Sequence, residues 1–232
     1  MADNTGQNNA ATALMNGGRV ETWDSGADGV YALVNGTRDA TVEMDGGTVI
    51  TWGTEYVDDV DPKNNERASY GLFAFVDNTG SNATAKTVMT GESEVETRGD
   101  KAHGVVANTT GSGAAIAEMM AGKVTMVGKD AHGLVAESAR GQAIASLGTG
   151  AVVEVFRAGS DGIRAEGATG FDVDVDGTVR GGAGSGAAIR TISGAGSGDR
   201  TSISPTPPLS LREILVLRYK TGMAMRTSAW QG

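Results

Sequence analysis

No cysteine occurs among the 232 residues, which excludes disulfides, thiol nucleophiles and thiolate-bound zinc or iron–sulfur clusters. Aromatic residues make up only 5% of the chain and proline appears four times. So few large rings argue against a thick globular core and for thin layers of small aliphatic side chains. Positive charge is scarce as well: 19 Lys and Arg stand against 28 Asp and Glu, a net charge of −9. Phosphate backbones and anionic membranes need a basic face, so neither nucleic acid nor such a membrane is an expected partner. There is no run of 18 apolar residues to span a membrane as a helix. The opening "MADNTGQNNAATALMNGG" has neither a basic region nor an apolar stretch, and as written it reads as no signal peptide.

What the chain has in abundance is glycine, 36 residues, and these follow a repeat. One phrase recurs as "ADGVYA", "SYGLFA", "AHGVVA", "AHGLVA" and "SDGIRA", with its glycines at Gly29, Gly71, Gly104, Gly133 and Gly162. A weaker echo, "SGAAIR", begins at Ser185. A second phrase, Gly-x-Val, places Val20, Val49, Val124, Val152 and Val179 between the copies of the first, with Val95 in an imperfect copy. From Val20, Val95 and Val124 to the next phrase's glycine the spacing is always 9 residues, which sets a register.

Within the first phrase, Val30, Leu72, Val105, Leu134 and Ile163 form one apolar column, and Ala32, Ala74, Ala107, Ala136 and Ala165 a second. Between them stand the variable residues Tyr31, Phe73, Val106, Val135 and Arg164. Period-2 alternation reads as a short strand with the two columns inward and the variable residue outward. A third alternation lies mid-repeat, as in "ATVEM", "AAIAEM" and "FDVDV". Three short strands per repeat, with no helical pattern between them, predict an all-β fold. The fold expected is a parallel β-helix (β-solenoid) of about six coils, with identical positions stacked about 4.8 Å apart.

The grammar breaks twice. Thirteen extra residues, "TEYVDDVDPKNNE" at 54–66, interrupt the second repeat. Insertions in repeat proteins are common binding surfaces, which makes Asp58, Asp59 and Asp61 candidate binding residues. After residue 194 the repeats give way to an atypical basic tail, 195–232, holding three of the four prolines. There "PLSLREILVLRYKTG" offers Ser210 and Glu213 as a capping box, predicting a short amphipathic helix that caps the open end of the rod. The alternative reading is a segment translated out of frame.

The phrases "GVYALVNGT", "GDKAHGVVA" and "GKDAHGLVA", with "GGTVITWG" and "GKVTMVG" between them, resemble the passenger repeats of pertactin-like bacterial autotransporters. The resemblance covers about residues 10–194. It implies a right-handed β-helix on the bacterial cell surface or secreted, an adhesin-like role in virulence, and a host-cell or surface receptor as partner. It implies membrane contact only through an outer-membrane barrel, which this chain does not contain. No enzyme activity and no cofactor are expected. Two alternatives stay open: a β-helix carbohydrate-active enzyme, lyase or glycosidase, and a truncated remnant without function.

Four local patterns bear on sites. Arg98-Gly99-Asp100 is the triplet that adhesive proteins present to integrins, and a candidate binding site. Its alignment puts it in a coil corner with no inserted residue, with Arg98 over the Trp52 ring one coil away. "DVDVDG", from Asp172 to Gly177, starts like a calcium loop, but Ala183 stands where the bidentate Glu belongs, so a strand with solvated Asp is expected and no metal site. His103 and His132 share a column with Asp28, Tyr70 and Asp161, read as a surface column held by hydrogen bonds. The sequons at Asn35, Asn82 and Asn108 read as turn composition, and the carboxylates as spread over the coils without a catalytic cluster.

Overall fold

The computed structural model describes residues 9–54, 69–194 and 199–203, and the backbone of the strand Ala2–Asn4. They form a parallel β-solenoid of about six turns, and no helix occurs among the described residues. The first sheet has seven strands, ordered Ala2–Asn4, Val30–Val34, Leu72–Val76, Val105–Thr109, Leu134–Ser138, Ile163–Gly167 and Ile189–Ser193. A second sheet of eleven strands makes the other two faces of each coil. These faces join through the long strands Ala40–Thr51 and Ala85–Thr97, which bend at Gly46, Gly47 and Gly91.

The register follows the repeats. Val30 pairs with Leu72, Leu72 with Val105, Val105 with Leu134 and Leu134 with Ile163; the alanine column pairs the same way and is fully buried. The echo after Ser185 pairs too, Ile163 with Ile189. On the opposite side Met15, Met44, Met89, Met119, Leu147 and Val175 form an unbroken inward ladder. Flexible thioethers fill the irregular space between thin layers without large rings, which accounts for the low aromatic content.

The two phrases recur together because they touch. A Cβ on Gly29, Gly71, Gly104, Gly133 or Gly162 would collide with the Val49, Val95, Val124, Val153 or Val179 side chain and with the backbone of the next coil. Only glycine lets this corner close onto the valine column.

Thr54 and Ser69, the residues on either side of the undescribed part of the insertion, are tied by a hydrogen bond from Ser69 Oγ to Thr54 O (3.2 Å). The solenoid register resumes directly after it. Asp58, Asp59 and Asp61 lie outside the described residues, as does the predicted helix around Ser210 and Glu213. Residues Arg200–Ile203 of the tail pair with Asp172–Val175 as a further strand of the second sheet.

Candidate functional site

The first sheet buries its inner face and part of its outer one. Inward-pointing residues fill the solenoid core, while Tyr31, Leu33, Phe73, Val106 and Val135 on the outer face form a second buried apolar cluster. The variable outward column therefore differs from a solvated strand face: Val135 is fully buried and Val106 is 2% exposed. Side chains from the flanking columns rise around it and leave a groove of about 1010 Å³ along the solenoid.

One half of the groove is aromatic. The Tyr31 ring stacks on Phe73 (centroids 5.2 Å), Phe73 on Phe75 (5.4 Å), and Tyr70 tilts against Phe73 at 4.4 Å. The register sets Tyr31 beside Phe73, while Phe75 lies two residues along the same strand and Tyr70 three residues before Phe73. The other half is charged. Arg164 Nη2 donates to Glu166 Oε2 (2.9 Å), its Nε lies 3.2 Å from Glu137 Oε1, and the Asn108 amide donates to Glu137 Oε2 (3.3 Å). Burial pushes the Glu137 carboxyl above its usual range, against the pull of Arg164. A smaller depression of about 580 Å³ continues the groove past Glu137, Arg164 and Glu166.

One wall is the histidine column, and its chemistry is regular. Asp28 Oδ1 accepts the Tyr70 backbone N–H, His103 Nδ1 that of His132, His132 Nδ1 that of Asp161, and Asp161 Oδ1 that of Ala187, all at 2.8–3.0 Å. Each side chain thus caps a backbone donor one coil on, where the chain turns into the strand. Two members depart from the expected surface position, His132 at 7% exposed and Asp161 fully buried, while Asp28, Tyr70 and His103 are half-buried; the expected hydrogen bonds are present. The two imidazoles stack at 4.7 Å, and Tyr70 stacks on His103 at 5.5 Å.

Burial, Asp161 and two arginines set the state of His132. Desolvation lowers its pKa to about 4; Asp161 opposes this, while Arg164 and Arg190 reinforce it. Both ring nitrogens face a donor, the Asp161 N–H at Nδ1 and Arg164 Nη1 3.3 Å from Nε2. With Nδ1 accepting, the neutral ring carries its one proton on Nε2, and a second proton on Nδ1 would displace the Asp161 N–H, a loss partly offset by the Asp161 carboxylate 3.3 Å away. Desolvation also holds His103 well below the usual range, helped by His132 and Arg164. Asp161 is bound in turn by Arg190 Nε at 2.7 Å.

Two rim residues, Lys101 and Asp130, have left-handed backbone (φ 58° and 52°). They occupy the corner position that Gly26 and Gly159 fill in other coils, with φ 73° and 79°. Glycine adopts this conformation freely, whereas a side chain costs about 1–2 kcal/mol there.

The Arg-Gly-Asp triplet lies at another corner. Arg98 sits 3.9 Å over the Trp52 ring and its Nε donates to Glu96 Oε1 (2.7 Å). Trp52 stacks on Trp23 at 4.9 Å and donates from Nε1 to Glu21 Oε1 (3.0 Å). Gly99 is buried against the Gly53 carbonyl, and Asp100 Oδ1 accepts the Lys129 N–H (2.8 Å). Both charged groups of the triplet are engaged within the coil stack.

Asp172 and Asp174 project from the strand Gly170–Val175, whose Phe171, Val173 and Val175 are buried, and Asp172 pairs with Arg200 (3.1 Å). Among the described residues no three His, Asp or Glu side chains gather in a way that would hold a metal ion. Asn108 corrects the turn reading of its sequon, because it lies within the strand Val105–Thr109 and lines the groove. The carboxylates are less scattered than the sequence suggests, since the register brings Glu137 beside Glu166. No protein-family description, curated protein or solved structure matches this chain.

Proposed function

We propose that the chain is a non-enzymatic passenger-type rod, displayed on a bacterial surface or secreted, that attaches to a host-cell or environmental receptor through the groove of its first sheet. The observation that carries this reading is the concave outer face, where buried aromatic side chains adjoin an ordered set of polar groups. Recognition sites combine such an apolar surface with a few fixed polar groups. The strained rim residues support the same reading, because side chains are kept at a corner where glycine would be more stable.

The test is attachment of the purified chain to cells and coated surfaces, compared with the groove variant Phe75→Ala/Asn108→Ala and the second-sheet control Ile144→Ser. The groove variant is expected to weaken attachment at least about tenfold at unchanged secondary structure, while the control leaves it intact. Attachment that survives the groove variant but disappears on deletion of 54–66, with Asp58, Asp59 and Asp61, or on Asp100→Glu, would move the receptor site away from the groove.

A second reading, a glycan-cleaving β-helix enzyme, draws on one observation: Glu137, its carboxyl raised by burial, stands beside Glu166 in the groove. Glycoside hydrolysis uses two carboxyl groups, one of them held protonated by a raised pKa. New reducing ends from a polysaccharide, abolished by Glu137→Gln, would favour it over simple attachment.

A further inference from the structure

We infer that the groove takes an uncharged, linear oligosaccharide laid along the solenoid axis, about one sugar unit per coil. This rests on the groove being the binding surface and adds the class of its ligand.

Periodicity is the first argument. The outward column along the groove repeats once per coil at about 4.8 Å per step, from Tyr31 and Phe73, which line the groove, through the buried Val106 and Val135 to Arg164 and Arg190, which line it again. Six positions span roughly 24 Å by the same spacing. An extended peptide advances about 3.3 Å per residue, so it falls out of step with coils about 4.8 Å apart. A 1,4-linked pyranose chain advances by roughly one coil spacing per unit, so one sugar ring falls opposite each coil, its orientation turning over from unit to unit.

Charge is the second. Five carboxylates and three cationic side chains line the groove. Arg164 is already held by Glu137 and Glu166, and Arg190 by Asp161. A polyanion, whether nucleic acid or a uronate or sulfated glycan, therefore meets net repulsion. A neutral polyol does not.

The third is the type of contact on offer. Asn108, Glu137 and Arg164 hold one another in place, giving donors and acceptors side by side. A hydroxyl is both donor and acceptor and can satisfy either. Stacking of Tyr31, Phe73 and Phe75 turns the ring faces toward one another, which leaves the electropositive ring edges for the groove. Such edges attract hydroxyl and ether oxygens.

The experiment is calorimetric titration of the whole chain with neutral oligosaccharides (cello-, xylo- and manno-series) of increasing length. An oligogalacturonate series and a basic, apolar peptide serve as comparators. Expected is binding of at least one neutral series, with affinity rising at least about tenfold from two units to about six and then levelling off. Asn108→Ala and Arg164→Gln should each lower it about tenfold, with thermal melts checking the fold, while Ile144→Ser leaves it unchanged. Absence of neutral-glycan binding, tighter binding of the acidic series or the peptide, or affinity independent of length would overturn the inference. Competition in the attachment assay separates the two claims. If groove variants abolish attachment but no neutral oligosaccharide competes, the ligand class falls and the groove stands; if groove variants attach normally, both fall.

Discussion

Acidification should destabilise this solenoid through His132, and the size of the effect follows from its surroundings. The folded state holds the ring neutral with a pKa of about 4, whereas an unfolded chain titrates it near the ordinary 6.5. Between those values the unfolded state binds more protons, so stability rises with pH across the window and falls as pH drops. About 2.5 units at 1.36 kcal/mol each give a loss of about 3 kcal/mol on going from above pH 6.5 to pH 4. His103, lowered in the same direction, adds to it.

The informative perturbation is His132→Asn. Asp28 and Asp161, in the same column, cap the next coil's N–H with a carboxylate oxygen, so an amide oxygen of equal reach can replace Nδ1 without a titrating ring. Urea unfolding near pH 7 and near pH 4.5 should show the wild type losing at least about 2 kcal/mol more than the variant. Glu137, raised by burial, works in the opposite direction in both proteins and drops out of the difference. Equal pH dependence in the two proteins would refute the account of His132 as a buried neutral acceptor.

Four substitutions test the scaffold. Gly133→Ala drives a methyl into Val153 and the Gly162 carbonyl and should cost about 1–3 kcal/mol in denaturant unfolding. Thr87→Val removes a fully buried hydroxyl without a hydrogen-bond partner and should raise stability by about 1 kcal/mol, read as a higher melting temperature. Lys101→Gly relieves left-handed backbone and should likewise gain about 1 kcal/mol. Trp52→Phe keeps the stack but loses the indole N–H, the main cause of the lowered Glu21 pKa, so an NMR titration should find that pKa moved up.

Most of the solenoid was legible because its determinants are local and repeated. The glycine of one phrase and the valine of the other recur at fixed spacing, and their contact makes the corner. The Trp52–Arg98 contact was legible for the same reason, since coil alignment puts both in one column. The groove was not legible from single strands. Alternation assigns Val106 and Val135 outward, and outward is correct, but burial there depends on what the flanking columns raise beside them. Asn108 misled for a similar reason: a residue type favoured in turns sits mid-strand because Glu137, 29 residues on, accepts its amide. Such information lies across coils, and it emerges only when residues one coil apart are compared as neighbours.

The histidine column ties the scaffold to the groove. In-register stacking leaves one backbone N–H per coil to be capped where the corner enters the first sheet, and a short acceptor suffices, as Asp28 demonstrates. His103 and His132 perform that task with rings that also wall the groove, and desolvation there keeps them neutral. A smaller acceptor would preserve the hydrogen bond, remove the acid sensitivity and open the wall. Stability alone therefore favours Asp or Asn here and glycine at residues 101 and 130. Both departures, imidazoles in the wall and side chains on strained rim backbone, fall on the same groove, as the proposed ligand surface requires.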